Sequence, residues 1–178
     1  MPRYMNRFRM ICAALIAAAC LVLPVTRAHA GGGDNPAPVS KLFSQAKTQA
    51  YQLRDDTAQM ELFALVHESA SSATQISVET YADATHAVNG DVNAMMVLLA
   101  KLDNAEKTAT PWQQGAIDEI RPIVKDLASN TQVLIQYINE NPDQLHTPDY
   151  KKCVRTNWES ASQLAGLFRT FSNYGKGE

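Results

Sequence analysis

Three residues of one polar stretch have side chains that bind metal ions: Glu79, Asp83 and His86. Spacings of four and three residues place them next to one another on a helix surface, where carboxylate and imidazole groups can share a cation. A di-metal centre inside a four-helix bundle needs several inward Glu residues and Glu-x-x-His pairs. The chain offers only the related "DATH" at this position, and the three residues turn away from the apolar side of their helix. We interpret them as a solvated polar face, with a weak surface metal site as the alternative.

Residue patterns for other cofactors and for nucleophilic catalysis are missing. No Cys-x-x-Cys-His sequence is available to attach haem, and the fourth predicted helix has no His or Met to match Met60 and His67 of the first. No Gly-x-Ser-x-Gly segment marks a nucleophile. Cys153 lies at the edge of an apolar stripe, which is typical of a buried, inert thiol. We therefore expect no cofactor and no enzymatic activity.

Four apolar helical stripes each contain one polar residue near the centre line: Gln49, Asp91, Thr131 and Asn157. Counting from the predicted connectors places Thr131 opposite Asn157, with Asp91 and Gln49 near the same height. An unpaired buried polar group costs about 1 to 3 kcal/mol, so these groups should bond one another or an enclosed water. Such an interior polar layer either fixes the alignment of the helices or lines a ligand pocket.

The elements that position these residues are marked by helix-start signals. Thr110 is a good N-cap, Pro111 suits the first helical position, and Gln113 can return a hydrogen bond to the cap. Thr147 and Pro148 repeat the pattern. Ser40, and Ser72 with Gln75, provide weaker signals. Apolar residues at helical spacing then predict helices from about Ser40 to Val66, Ala73 to Lys107, Pro111 to Glu140 and Pro148 to Asn173.

These four amphipathic helices, with short connectors and no strand signal, predict an all-α protein. The expected architecture is an antiparallel up-down-up-down four-helix bundle over residues 40–175. Pro122 falls on the solvent side of the third helix, where a proline should bend the helix without ending it.

The second helix is apolar over an unusually wide arc. Its predicted core stripe consists of Ile76, Ala84, Ala87, Met95, Leu98 and Leu102. Outside that stripe, Val88, Val92 and Met96 form a candidate interface for another protein or for a second copy. The alternative is that these residues cover neighbouring helices inside the bundle.

The beginning of the chain resembles no folded element. Arg3, Arg7 and Arg9 precede an apolar run from Met10 to Val25, and "AHA" ends at Ala30. This pattern predicts a cleaved signal peptide over residues 1–30, followed by a flexible tail over residues 31–39. The alternatives are a lipoprotein anchored at Cys20 and a retained membrane anchor, but the run of about 16 residues is short for a bilayer.

Charge limits the kinds of partner. Four of the 16 Lys and Arg residues and none of the 18 Asp and Glu residues lie in residues 1–30, so the 148-residue remainder would carry a net charge of −6. An acidic surface without a basic cluster argues against nucleic acid and anionic membranes. We expect a periplasmic or secreted, non-enzymatic protein that acts through protein contacts or self-association. The alternative is a bundle that binds a small ligand or metal with interior polar residues.

Overall fold

The computed structural model describes residues 38–69 and 76–174, and these residues form four long helices without any strand. The helices are α1 (Val39–Ser69), α2 (Val78–Ala105), α3 (Pro111–Glu140) and α4 (Pro148–Tyr174). Short 3₁₀ turns at Glu106–Thr108 and Pro142–Gln144 precede α3 and α4. The prediction of an all-α four-helix bundle is confirmed. The predicted signal peptide and most of the predicted tail lie outside the described residues.

Local sequence explains where α3 and α4 begin. The backbone amide of Thr110 donates a hydrogen bond to Oε1 of Gln113 at 3.0 Å, which completes the predicted capping box. The Thr147 hydroxyl lies 3.5 Å from the backbone nitrogen of Tyr150 and accepts its hydrogen. In both places a proline follows the cap, where its missing N–H leaves no helical bond unmade. Both predicted starts are confirmed.

The starts of α1 and α2 differ from prediction. Helix α1 already includes Val39, so Ser40 lies within the first turn and is not its cap. Ile76 and Ser77 are not helical, so the predicted start at Ala73 is wrong. Ser77 is the cap of α2, because its Oγ accepts the backbone N–H of Thr80 at 3.2 Å.

The capping box predicted from Ser72 and Gln75 lies outside the described residues. At its other end, α2 stops at Ala105, and the last predicted residue, Lys107, belongs to the 3₁₀ turn. Helix ends often tighten in this way, so the difference is small.

The core is shared by all four helices. Helix α1 contacts α2 and α4, and α3 contacts the same two helices, which gives a closed ring around one hydrophobic centre. Its largest fully buried side chains are Leu53, Met60, Tyr81, Met95, Leu102, Ile117, Ile120, Leu127, Leu134, Tyr150, Leu164 and Phe168. Pro122 is exposed and α3 continues through it, as predicted. Burial on this scale is the main source of stability for a domain without a disulfide.

The buried side of α2 differs from the predicted one. Val88 and Val92 are 0% and 2% exposed, and Met96 is partly buried against the core. Ala87, expected in the core, is exposed. The observed orientation of the helix about its axis therefore differs from the predicted one by less than about 100°, the rotation between successive residues. Because the apolar arc of α2 is wider than the side that one core can cover, its spacing pattern alone does not determine which part of the arc faces inward.

Candidate functional site

The three residues considered as a weak surface metal site are not grouped into one. Glu79, Asp83 and His86 are all exposed, and the described residues contain no group of three His, Cys, Asp or Glu side chains that could hold a metal ion. Hydrogen bonds from its own backbone amide and from the Ser77 side chain hold the pKa of Glu79 below its ordinary value. Glu79 thus supports the N-terminus of α2, where the free amides favour a negative charge.

The predicted interface on α2 is corrected by the burial of its residues. Val88 and Val92 lie inside the core of a single chain, and Met96 packs against that core. They cover neighbouring helices and are not open to a partner. The wide apolar arc of α2 is therefore used partly inside the bundle, as the alternative interpretation expected.

The outward side of α2 is nevertheless poor in charge. Within α2, which is described throughout, the exposed positions between Asp83 and Lys101 carry no Asp, Glu, Lys or Arg. These positions are His86, Ala87, Gly90, Asn93, Val97 and Ala100. The Val97 side chain is 54% exposed and is one of the few large hydrophobic residues on the surface. We call these six residues, together with Asp83 and Lys101, the outer face of α2.

The outward side of α4 shows the contrast within the same chain. Lys152, Arg155, Glu159 and Arg169 are exposed along it, as expected of a solvated helix surface. Among the described residues, the other large exposed hydrophobic residues are Val78 at the start of α2 and Leu62 and Leu65 near the end of α1, and the two leucines form a shorter patch. Between Asp83 and Lys101, this side of α2 is the longest exposed stretch without Asp, Glu, Lys or Arg among the described residues of the four helices.

The interior polar layer is partly assembled. Nε2 of Gln49 donates a hydrogen bond to Oδ1 of Asp91 at 2.8 Å, which links α1 to α2 as predicted. Nε2 of Gln132 donates to Oδ1 of Asn89 at 3.2 Å. Gln132 follows Thr131 directly, and Asn89 is two residues before Asp91. At 1.5 Å per residue, Thr131 and Asp91 therefore lie within about 5 Å of each other along the bundle axis.

Thr131 and Asn157 are both fully buried, and neither points into solvent. Four buried polar atoms of the layer have no hydrogen-bond partner among the described residues. They are the Thr131 hydroxyl, the nitrogen and oxygen of the Asn157 amide, and Oδ2 of Asp91. The two other fully buried threonines differ, since the Thr57 and Thr85 hydroxyls each donate at 2.8 Å to the carbonyl four residues earlier. The unpaired groups therefore reflect their position in the layer and are not a general property of buried threonine here.

Sequence reasoning missed one member of this layer, Asp56. Its carboxyl group acts electrostatically on Asp91 and accepts a hydrogen from Gln52 at 3.1 Å. Burial, and then the neighbouring Asp56 carboxyl, raise the pKa of Asp91 to about 6, while the bond from Gln49 opposes the increase. Asp56 follows Gln49 by seven residues, which places the two on one side of α1 two turns apart. That spacing was the available signal.

A second buried polar group lies on α4 at Tyr150. Its ring packs against Tyr81 and Tyr137, with ring centres 5.7 and 5.6 Å away, and its hydroxyl is buried. Burial raises the pKa of Tyr150 above its ordinary range.

The side chain of Met60, which was considered as a haem ligand, is fully buried, and its Sδ atom lies 3.5 Å from the Thr85 hydroxyl. Cys153 is partly buried, in agreement with its predicted place at the edge of the core.

Comparison with protein-family models, with curated proteins and with solved structures found no match to this chain. Across residues 38–69 and 76–174, each helix lacks either the length or the hydrophobicity that crossing a bilayer requires.

Proposed function

We propose that the protein is an exported, non-enzymatic four-helix bundle that acts through contact with another protein or with its own copies. The observation that carries this proposal is the outer face of α2. A solvated helix surface normally carries charges, as α4 does here, whereas the cores of protein interfaces are depleted of them. An uncharged helix surface on an acidic protein is therefore best explained as a contact surface.

Val97 is the residue most directly exposed to such a contact. Val97 is 54% exposed, and burial of its remaining surface contributes roughly half of the about 1.5 kcal/mol or more that full burial of a valine gives. The neighbouring Ala87 and Gly90 are exposed and small, so another helix or strand could approach the backbone of α2 closely. Between Asp83 and Lys101, no exposed residue has a long, flexible side chain that would have to be ordered for contact, which limits the entropic cost of binding.

The proposal includes the topology and the location of the protein. Hydrogen bonds between neighbouring helices run in opposite sequence order, which supports an up-down-up-down arrangement. Between α1 and α2, Gln49 donates to Asp91, and the Tyr81 hydroxyl donates to the carbonyl of Phe63. Between α2 and α3, Gln132 donates to Asn89, and Arg121 donates to Asp103. The leader-like residues 1–30 support a periplasmic or secreted location after cleavage. The acidic balance of the remaining chain supports a protein partner over nucleic acid or stable membrane insertion.

A photo-reactive amino acid at position 97 tests the proposed contact. The exported protein should form a covalent adduct with a second protein chain when irradiated in the cells that produce it. The same amino acid in place of Gln163, exposed on α4, is the matched control and should give little adduct. Equal labelling at the two positions, or none at either, would contradict a role for the outer face of α2.

A second function is favoured by a different observation, the unpaired polar atoms of Thr131, Asn157 and Asp91 in the core. Under this proposal the bundle holds a small hydrogen-bonding ligand in its interior. The variant Asp91→Leu tests it when stability and bound small molecules are measured together by denaturation and native mass spectrometry. Loss of a co-purifying ligand would favour this function, whereas a folded variant with unchanged content would leave the layer a device for helix alignment.

A further inference from the structure

We propose that two copies of this chain pair through the outer face of α2, antiparallel and related by a two-fold axis, with Asp83 of each copy beside Lys101 of the other. This inference rests on the proposed function and names both the partner and the register of the same surface. The most common soluble oligomers are two-fold dimers, in which one surface patch contacts its own copy.

The positions of the Asp83 and Lys101 charges determine the alignment of the two α2 helices. Asp83 and Lys101 are exposed at the two ends of the uncharged stretch, and position 92 lies midway between them. In an antiparallel pair of helices centred on that position, each aspartate lies at the height of the lysine from the second copy. Two opposite-charge pairs then form about 27 Å apart at 1.5 Å per residue. A parallel pairing would place like charges together at both ends.

The same register also matches side-chain sizes. It places Val97 of one copy opposite Ala87 of the other, and Gly90 opposite Ala94. A large side chain thus meets a small one at each end, while two small residues meet near the axis. Helices packed in this way approach to about 8 Å, the lower limit of ordinary helix packing.

Charge on the remaining surface favours this face over others for a second copy. The chain without residues 1–30 carries a net charge of −6, so most arrangements of two copies bring acidic surfaces together. The outer face of α2 avoids that repulsion and adds attraction at its ends. The contact is small, because one helix face from each copy contributes, so we expect a reversible dimer at the weak end of specific interfaces.

Gly90 allows a direct test of the contact. A Cβ atom added at Gly90 would meet nothing within 4 Å, and its backbone has no positive φ, so a larger residue there leaves a single chain undisturbed. Gly166 on α4 has the same properties and is also exposed. We therefore compare Gly90→Arg with Gly166→Arg by analytical ultracentrifugation, with circular dichroism as the measure of folding. Gly90→Arg should weaken dimerisation by about tenfold or more, and Gly166→Arg should not.

Charge reversal tests the register. Asp83→Lys alone and Lys101→Asp alone each replace two attractive pairs by two repulsive ones and should weaken the dimer, whereas the double variant should restore it. A dimer that survives Gly90→Arg, or single reversals that the double variant does not rescue, would overturn the pairing while leaving self-association, and the proposed function, intact. A monomeric protein whose position 97 labels a different protein would also overturn the pairing and support the proposed function. A monomer without any adduct at position 97 would refute both.

Discussion

Replacing Asp91 by Asn should stabilise the protein in mildly alkaline solution and have little effect in acid. The carboxyl of Asp91 lies between α1 and α2, where Gln49 donates to one oxygen and the other oxygen is buried. Burial and the nearby Asp56 raise its pKa from an ordinary value of 3.8 to about 6. A carboxyl whose pKa is raised by folding favours the folded state only while it is protonated. Its contribution is complete below about pH 3.8 and is lost as the pH rises through about 6.

The size of the effect follows from the same values. The difference between 3.8 and about 6 corresponds to a loss of at most about 3 kcal/mol in unfolding free energy above pH 7. The side chain is partly exposed, so solvent screening reduces this to about 1 to 2 kcal/mol. The asparagine oxygen can still accept the hydrogen from Gln49, so the variant removes the charge without removing the bond to α1.

The assay is urea denaturation of the wild type and Asp91→Asn at pH 4 and pH 8, followed by circular dichroism. The variant should be more stable than the wild type by about 1 to 2 kcal/mol at pH 8, and nearly equal to it at pH 4. Asp126→Asn, at an exposed position of α3, is the control and should show no such difference between the two pH values. If Asp91→Asn destabilises the protein equally at both pH values, the charge is stabilised by its surroundings and the reasoning is refuted. Asp56→Asn should give part of the same gain at pH 8, because it removes the neighbouring charge.

Three further outcomes are expected. Thr131→Val should leave the free energy of unfolding unchanged or raise it by up to about 1 kcal/mol, since the hydroxyl is unpaired. In urea denaturation it should be less destabilising than Thr57→Val, which removes the hydrogen bond to the Leu53 carbonyl. Equal losses would show that the Thr131 hydroxyl has a partner. Arg121→Ala should cost about 1 kcal/mol, less at high salt, because its guanidinium joins α3 to the end of α2; an effect independent of salt would point to packing instead. Intact-mass measurement of the exported protein should show a chain that begins after Ala30, and retention of residues 1–30 would contradict the predicted cleavage.

The sequence by itself determined the local features of this fold. Thr110, Pro111 and Gln113 start α3 through bonds between residues three positions apart, so the signal and its structural effect lie in the same short segment. Thr131 and Asn157 were placed in the core by helical spacing alone, because their helices are polar on the opposite side. The polarity of the rest of each helix decides which side is buried, and that information is present in the chain.

Only the tertiary structure decided which side of α2 faces inward. Val88 and Val92 belong to an unusually wide apolar arc, so competing orientations within that arc differ little in the hydrophobic area they bury. Packing against α1 and α3 selects one of them, and the choice moved the candidate contact surface to Val97. The nearness of Asp56 to Asp91 was decided in the same way, because residues far apart in sequence meet only after the lateral positions of two helices are set. Hydrogen bonds and periodicity within a helix act over a few residues, whereas rotation and lateral packing depend on every helix that shares the core.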